Sequence, residues 1–106
     1  MEPHPLEVKK AIAKIDKKAL VILFGSRARG DSKPESDWDF LIITPKETTQ
    51  SYQDAIREAL YNIELENGQV ITSVIENDKI WNRYKESEIF KNIARDGIEI
   101  VIPKAA

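Results

Sequence analysis

Hydrophobic and polar positions alternate along the chain with two periods, one typical of helices and one typical of strands. After Pro5, apolar residues recur at helical spacing while lysines fall mostly on the other side, which predicts an amphipathic helix. The apolar positions of this helix are Val8, Ala11, Ile12, Ile15 and Ala19. Residues 19–24, ALVILF, form a short apolar run that ends at a glycine and predict a strand buried on both faces. Residues 38–44, WDFLIIT, predict a second strand, closed by Pro45.

The clearest helical pattern of the chain lies between Thr48 and Gly68. Its apolar stripe follows the 3.6-residue period, and the glycine supplies the stop. The stripe consists of Tyr52, Ala55, Ile56, Ala59, Leu60 and Ile63. Residues 69–75, QVITSVI, are β-branched and predict a third strand.

The last third of the chain predicts two more helices and a closing strand. Asn77 or Asp78 is a suitable cap for the first of these helices, and helical spacing continues to Gly97. Residues 98–102, IEIVI, predict a short last strand. The sequence therefore predicts an α/β (α+β) fold over residues 1–106, a single domain with helices packed on a small mixed sheet of about four strands.

Composition and charge exclude several classes of protein. The net charge is −2, which argues against binding to nucleic acid through bulk charge, so we expect no nucleic-acid partner. The chain has no cysteine, which excludes disulfides and zinc–thiolate sites. No apolar stretch approaches the roughly 20 residues of a membrane span, and the N-terminus lacks the apolar core of a signal peptide. We therefore expect a cytoplasmic protein that does not contact a membrane.

Gly25 and Ser26 stand where the first predicted strand ends. A glycine there lets the backbone turn tightly and lets a ligand approach closely. If SRAR opens a short helix, its free N–H groups and the Ser26 hydroxyl form a site suited to phosphate. Arg27 and Arg29 would add positive charge, although Arg29 is as well placed to pair with a nearby carboxylate. Taken alone, a Gly-Ser pair after a strand is usually only a turn.

Asp37 and Asp39 lie two residues apart at the start of the second strand. Strand alternation points both to one face, with a rise of roughly 6.8 Å between their Cα atoms, while Trp38 and Phe40 point into the core. Two carboxylates on one face suit a hard cation such as Mg²⁺ and make a poor structural pair, because like charges repel. The alternative is that both simply belong to the polar loop before the strand.

The combination resembles the motif of the DNA polymerase beta-like nucleotidyltransferase superfamily, and more narrowly the minimal, antitoxin-type nucleotidyltransferases of bacteria and archaea. The matching positions are Gly25, Ser26, Arg29, Gly30, Pro34, Ser36, Asp37 and Asp39, followed by an apolar strand. The resemblance is strong over residues 19–44 and elsewhere rests on element order and length.

The resemblance implies a site in which Asp37 and Asp39 are the catalytic carboxylates and bind Mg²⁺. By the same resemblance, Gly25, Ser26 and Arg29 bind the phosphates of a nucleoside triphosphate. The superfamily normally adds a third carboxylate from a neighbouring strand, and residues 70–75, VITSVI, contain no acid. Thr72 is the first choice for the vacant position, with Ser73 second.

Three further acids lie near this strand in the sequence, namely Glu64, Glu66 and Glu76. The first two close the preceding helix, where solvated glutamates are common, and Glu76 lies at the edge of the next loop. The identity of the third acid is therefore open.

Three functions fit these residues. The first is Mg²⁺-dependent transfer of a nucleoside monophosphate from a nucleoside triphosphate to a protein or small-molecule acceptor, slow because the third carboxylate is not evident. The second is a nucleotide-binding, catalytically impaired, antitoxin-like partner of a small helical HEPN-type protein, the toxin–antitoxin arrangement that the resemblance suggests. The third is a structural domain that keeps the motif only as a fold element. The small size of the domain also favours self-association or a partner that completes the site.

Overall fold

The computed structural model describes residues 5–103 and has helices on both faces of a four-stranded mixed sheet, which confirms the predicted fold class. The elements are α1 (Pro5–Ile15), β1 (Leu20–Phe24), α2 (Ser26–Arg29), β2 (Trp38–Thr44), α3 (Gln50–Asn67), β3 (Ile71–Asn77), α4 (Asp78–Tyr84), α5 (Glu88–Asp96) and β4 (Ile98–Glu99). Among the helices of this part of the chain, none is both long and apolar enough to cross a membrane.

The strands lie in the order β3-β2-β1-β4, so β2, the most deeply buried strand, has a neighbour on each side. β1 runs antiparallel to both β2 and β4, whereas β2 and β3 run parallel. The parallel connection passes through α3, the usual crossover for such a pair. The end of β1 that carries Phe24 and the start of β2 that carries Asp39 therefore lie side by side at one end of the sheet, where the predicted site lies.

The core has one layer on each face of the sheet. On the first face, Phe40 and Ile42 of β2 pack against α1 and α3 through Val8, Ile12 and Ile56. The second face of the sheet packs against α4 and α5. The sheet residues of this layer include Leu41, Ile43 and Val74, and the helix residues are Trp81, Phe90 and Ile93. The Trp81 and Phe90 rings lie 4.8 Å apart, so Trp81 belongs to this second layer.

One predicted burial pattern and two predicted strand boundaries are wrong in detail. β1 is fully buried on one face through Val21 and Leu23, but on the other face Ile22 and Phe24 are only half-buried and Leu20 is 42% exposed. β3 begins at Ile71 instead of residue 69 and continues to Asn77, since its partner β2 extends from Trp38 to Thr44. The last strand pairs with β1 only through Ile98 and Glu99, so it is shorter than the predicted 98–102.

A buried carboxylate ties three elements together at the sheet end opposite the predicted site. Asp16 is 2% exposed and accepts hydrogen bonds from the Thr44 hydroxyl, the Tyr52 hydroxyl at 2.8 Å and the Lys18 N–H at 3.1 Å. Burial alone would raise the pKa of Asp16, but the three hydrogen bonds outweigh it and hold the pKa below its usual value. Burial, together with the Asp16 charge, raises the pKa of Tyr52 to about 12. This cluster fixes the end of α1 against β2 and α3.

Candidate active site

Gly25 makes the turn at the end of β1 and lies directly against the Asp39 carboxylate. Its φ of 75° and ψ of −158° belong to a region that essentially only glycine adopts. A Cβ built on Gly25 would collide with Oδ2 of Asp39. Glycine is therefore required here both by backbone conformation and by the closeness of the carboxylate.

Ser26 opens the short helix α2, as the sequence predicts. The N–H groups of Ala28 and Arg29 donate to the Gly25 carbonyl at 3.1 and 3.0 Å, and Gly30 ends the helix in the left-handed conformation. The first N–H groups of a helix have no partner within that helix and point outward from its start. The half-buried Ser26 is therefore the first residue of a helix whose start follows directly on the Gly25 turn.

Asp37 and Asp39 alternate with buried aromatic residues. Trp38 is 8% exposed and Phe40 is fully buried on the α1–α3 side, whereas Asp39 is half-buried and Asp37 is exposed. Asp37 lies one residue before β2, so strand alternation assigns it to the same face as Asp39. The two core aromatic residues fix which face the carboxylates occupy.

Thr72 is the residue that the sheet places beside Asp39. The two are register partners across the parallel β2–β3 pair, and the Thr72 hydroxyl donates a hydrogen bond to Oδ1 of Asp39. On the other side, Asp39 is paired with Phe24 of β1, so neither register partner is acidic. Ser73 pairs with Phe40 and faces the α1–α3 side of the sheet, away from Asp39, so it is not placed to supply a third ligand.

The glutamates considered from the sequence lie elsewhere. Glu64 accepts a hydrogen bond from the Ile71 N–H at 2.7 Å and so fixes the start of β3. Glu76 pairs with Ile43, four residues beyond Thr72, or about 13 Å along the strand. Glu66 lines a groove between α1 and α3, on the opposite side of the sheet. None of the three stands next to Asp39.

Arg27 organises the loop that carries Asp37, a role that the sequence analysis missed. Its guanidinium donates to the carbonyls of Ser36 at 2.9 Å and Pro34 at 3.2 Å, and it lies 4.5 Å from the centroid of the Trp38 ring. It also reaches the Ser32 hydroxyl and the Gln69 amide oxygen, both at 3.4 Å. One planar side chain therefore ties together α2, the loop and the segment that precedes β3. An arginine beside a polar loop is too common for this role to be read from sequence.

Arg29 takes part in ion pairs at the surface near the turn. Its Nε lies 3.2 Å from Asp31, the pairing foreseen as an alternative to phosphate binding, and Nη1 lies 4.0 Å from Asp96. Asp96 also accepts two hydrogen bonds from Arg95, both at 3.2 Å. The hydrogen bonds from Arg95 and the nearby Arg29 charge hold the pKa of Asp96 below its usual value. Arg29 is exposed, so these pairs leave it accessible.

The carboxylates at this end of the sheet fit Mg²⁺ that is bound together with a substrate. Mg²⁺ commonly takes one or two carboxylates and completes its octahedron with water and phosphate oxygens. Within residues 5–103, no group of three or more acidic, histidine or cysteine side chains is arranged to hold a metal without such help. Asp37 and Asp39 would supply the two carboxylates, and phosphates held at Gly25 and Ser26 would supply further oxygens.

Comparisons with known proteins agree with this geometry. The model of the nucleotidyltransferase domain family matches residues 6–96. A Methanocaldococcus jannaschii protein named as a candidate protein adenylyltransferase is 31% identical over 77 residues, which cover 73% of this chain and 72% of that protein. The crystal structure of a toxin–antitoxin with AMP-PNP has a TM-score of 0.67 at 15% identity and covers 92% of this chain and 72% of that chain. At 15% identity, the likeness to the toxin–antitoxin structure concerns the fold alone.

Proposed function

The chain belongs to the nucleotidyltransferase domain family, and from this premise we propose that it is a slow Mg²⁺-dependent nucleotidyltransferase. It transfers a nucleoside monophosphate from a nucleoside triphosphate to a hydroxyl or similar oxygen of a protein or small-molecule acceptor. The single observation that carries the proposal is the packing of Gly25 against Asp39, which joins the phosphate-binding turn to the carboxylate pair.

In this reaction the acceptor oxygen attacks the α-phosphorus of the triphosphate. A bond forms between that oxygen and the α-phosphorus, the bond from the α-phosphorus to the bridging oxygen breaks, pyrophosphate leaves, and the proton of the acceptor hydroxyl passes to solvent water. Ser26 and the amides beside it hold the phosphates, and Arg29 contributes positive charge at the same end of the sheet. Asp37 and Asp39 would hold Mg²⁺, which would supply positive charge to neutralise the charge that develops on the phosphate oxygens.

The slowness follows from the residue opposite Asp39. A third carboxylate would serve a second metal or accept the proton of the acceptor, and Thr72 supplies only a neutral hydroxyl. Loss of a general base typically costs about 10²- to 10⁴-fold in rate. The same observation favours a second candidate function, a nucleotide-binding antitoxin-like partner of a helical HEPN-type protein with little catalysis of its own.

Transfer of labelled nucleotide tests the proposal. The protein is incubated with Mg²⁺, candidate acceptors and ATP labelled on the α-phosphate, and in parallel with ATP labelled on the γ-phosphate. Nucleotidyl transfer places the α-label, and not the γ-label, on the acceptor, and the Asp39→Asn variant places neither. No α-label on any acceptor, together with tight Mg²⁺-dependent nucleotide binding, would favour the second candidate. Label from the γ-phosphate would contradict both.

A further inference from the structure

A groove lies between α5 and the second face of the sheet, beside the carboxylate pair. It has a volume of about 490 Å³, within the roughly 300–1,000 Å³ of small-molecule sites. Its floor is apolar and consists of Phe24, Val74 and Ile93. Gly25 also lines the groove, together with Arg29 and three polar or charged residues of α5, namely Asn92, Arg95 and Asp96.

The groove is adjacent to Asp39 on both neighbouring strands. Phe24 is the register partner of Asp39 on β1, and Val74 lies two residues beyond Thr72 on β3, on the same face. Register partners of an antiparallel pair have Cα atoms about 4.5–5.5 Å apart, so the floor begins one strand spacing from the carboxylate. Gly25, which touches Asp39, belongs to the groove as well. A nucleotide whose α-phosphate lies at Asp39 therefore has this groove within reach of its base.

The lining has the chemistry of a base-binding site. The apolar floor favours a flat aromatic ring, since burial of its faces removes apolar surface from water. The Asn92 amide carries both a donor and an acceptor, the combination that a base edge requires. Arg29, Arg95 and Asp96 also line the groove, but ion pairs join the two guanidinium groups to the Asp96 carboxylate, so the apolar floor and Asn92 carry the assignment.

We propose that this groove between β1, β3 and α5 holds the base of the nucleoside triphosphate and that Asn92 contacts the base edge. The inference rests on the proposed function, because it assumes that the phosphates bind at Gly25, Ser26 and the carboxylate pair. It assigns the nucleoside half of the substrate to α5, a helix outside the Gly-Ser and Asp-x-Asp motif.

Two ligands that differ only in having a nucleoside separate the two halves of the site. ATP and inorganic tripolyphosphate, each with Mg²⁺, are titrated calorimetrically into the unmodified protein and into Asn92→Trp, which places bulk over the groove. Asn82→Trp is the matched control, because Asn82 is an exposed asparagine of α4 that does not line the groove. Asn92→Ala serves as the second, gentler variant, and thermal unfolding verifies that each variant is folded.

The unmodified protein is expected to bind Mg²⁺-ATP at least about tenfold more tightly than Mg²⁺-tripolyphosphate. Asn92→Trp should raise the Kd for ATP to that of tripolyphosphate and leave the tripolyphosphate Kd unchanged, while Asn82→Trp changes neither. Asn92→Ala should weaken ATP alone by a smaller factor.

Equal Kd values for the two ligands in the unmodified protein would overturn the groove proposal and leave the proposed function intact. Tighter ATP binding that neither Asn92 variant weakens would place the base elsewhere and would also overturn it. Failure of both ligands to bind in the presence of Mg²⁺ would overturn the proposed function and the groove with it.

Discussion

Thr72 and Asp39 face each other across the parallel strands β3 and β2, and the Thr72 hydroxyl donates a hydrogen bond to Oδ1 of the carboxylate. The hydroxyl orients the carboxylate without adding charge. In the proposed site, Thr72 occupies the position at which we expect a third carboxylate beside Asp39.

Thr72→Asp is expected to raise Mg²⁺-dependent transfer of α-labelled nucleotide above that of the unmodified chain. It supplies a third carboxylate beside Asp39 for a second metal or for the acceptor proton, a contribution of about 10²- to 10⁴-fold in other enzymes. Without Mg²⁺ the variant should be less stable, because carboxylates side by side repel.

Two variants control for size and for place. Thr72→Asn has nearly the same shape as the aspartate without its charge and should leave transfer slow. Ser73→Asp puts a carboxylate on the α1–α3 side of β3, next to Phe40, and should destabilise the protein without any gain in activity. Fast transfer by the unmodified chain alone would show that no third acid is missing.

Gly25→Ala should abolish Mg²⁺-dependent nucleotide binding. The added Cβ collides with Asp39, and alanine is strained at a φ of 75° by roughly 1–3 kcal/mol. Gly30→Ala is the matched control, since its φ is also positive, at 86°, but no atom lies within 4 Å of the added Cβ. It should lower the unfolding temperature and keep nucleotide affinity. Equal nucleotide Kd values for the two variants would refute a specific role for the contact between Gly25 and Asp39.

Arg27→Lys should weaken nucleotide binding by about tenfold and leave the fold intact. Lysine keeps the charge but cannot bond several loop oxygens at once while it stacks on Trp38. Amide hydrogen exchange in residues 31–36 should therefore become faster. Arg57→Lys, at an exposed arginine of α3 bonded to Gln53, should change neither quantity. Unchanged exchange in Arg27→Lys would mean that other contacts fix the loop.

The free energy of unfolding should fall at acid pH through Asp16. Because its pKa is lower in the folded protein, its contribution is present above the unfolded pKa of about 3.9 and is lost as pH falls through the lower, folded pKa. Urea unfolding between pH 2 and 6 should show a shallower acid slope for Asp16→Asn than for the unmodified protein. The exposed Asp54 gives the control variant Asp54→Asn, which should keep the original slope. Identical slopes for all three proteins would contradict the assignment.

The ends of a strand or helix could be predicted from the sequence wherever the residues that set those ends lie within or next to the element. β2 begins at Trp38 and ends at Thr44, as its apolar run and Pro45 predict, and α4 is capped by Asn77, one of the two predicted candidates. The start of β3 and the length of β4 depend on which residues the neighbouring strands offer for pairing. No local pattern contains that information.

The candidate site divides in the same way. The turn and the carboxylates are close in sequence, so their spacing points to them directly. Arg27 and Asp16 act through distant partners, such as Gln69 for the first and Thr44 and Tyr52 for the second. The groove beside α5 likewise forms only when the last helix packs on the sheet.

The most direct test of the central claim is the thermal unfolding of Asp39→Asn with and without ATP and Mg²⁺. The asparagine oxygen can still accept the Thr72 hydrogen bond and removes a like charge near Asp37, so the ligand-free variant should unfold at the same temperature as the unmodified protein or slightly higher. The unmodified protein should be stabilised only when ATP and Mg²⁺ are both present, by about 2.7 kcal/mol at a hundred times Kd. The variant should show no such stabilisation. A large loss of stability in the ligand-free variant, or full stabilisation by ATP and Mg²⁺ without the Asp39 carboxylate, would contradict a metal–nucleotide site at this position.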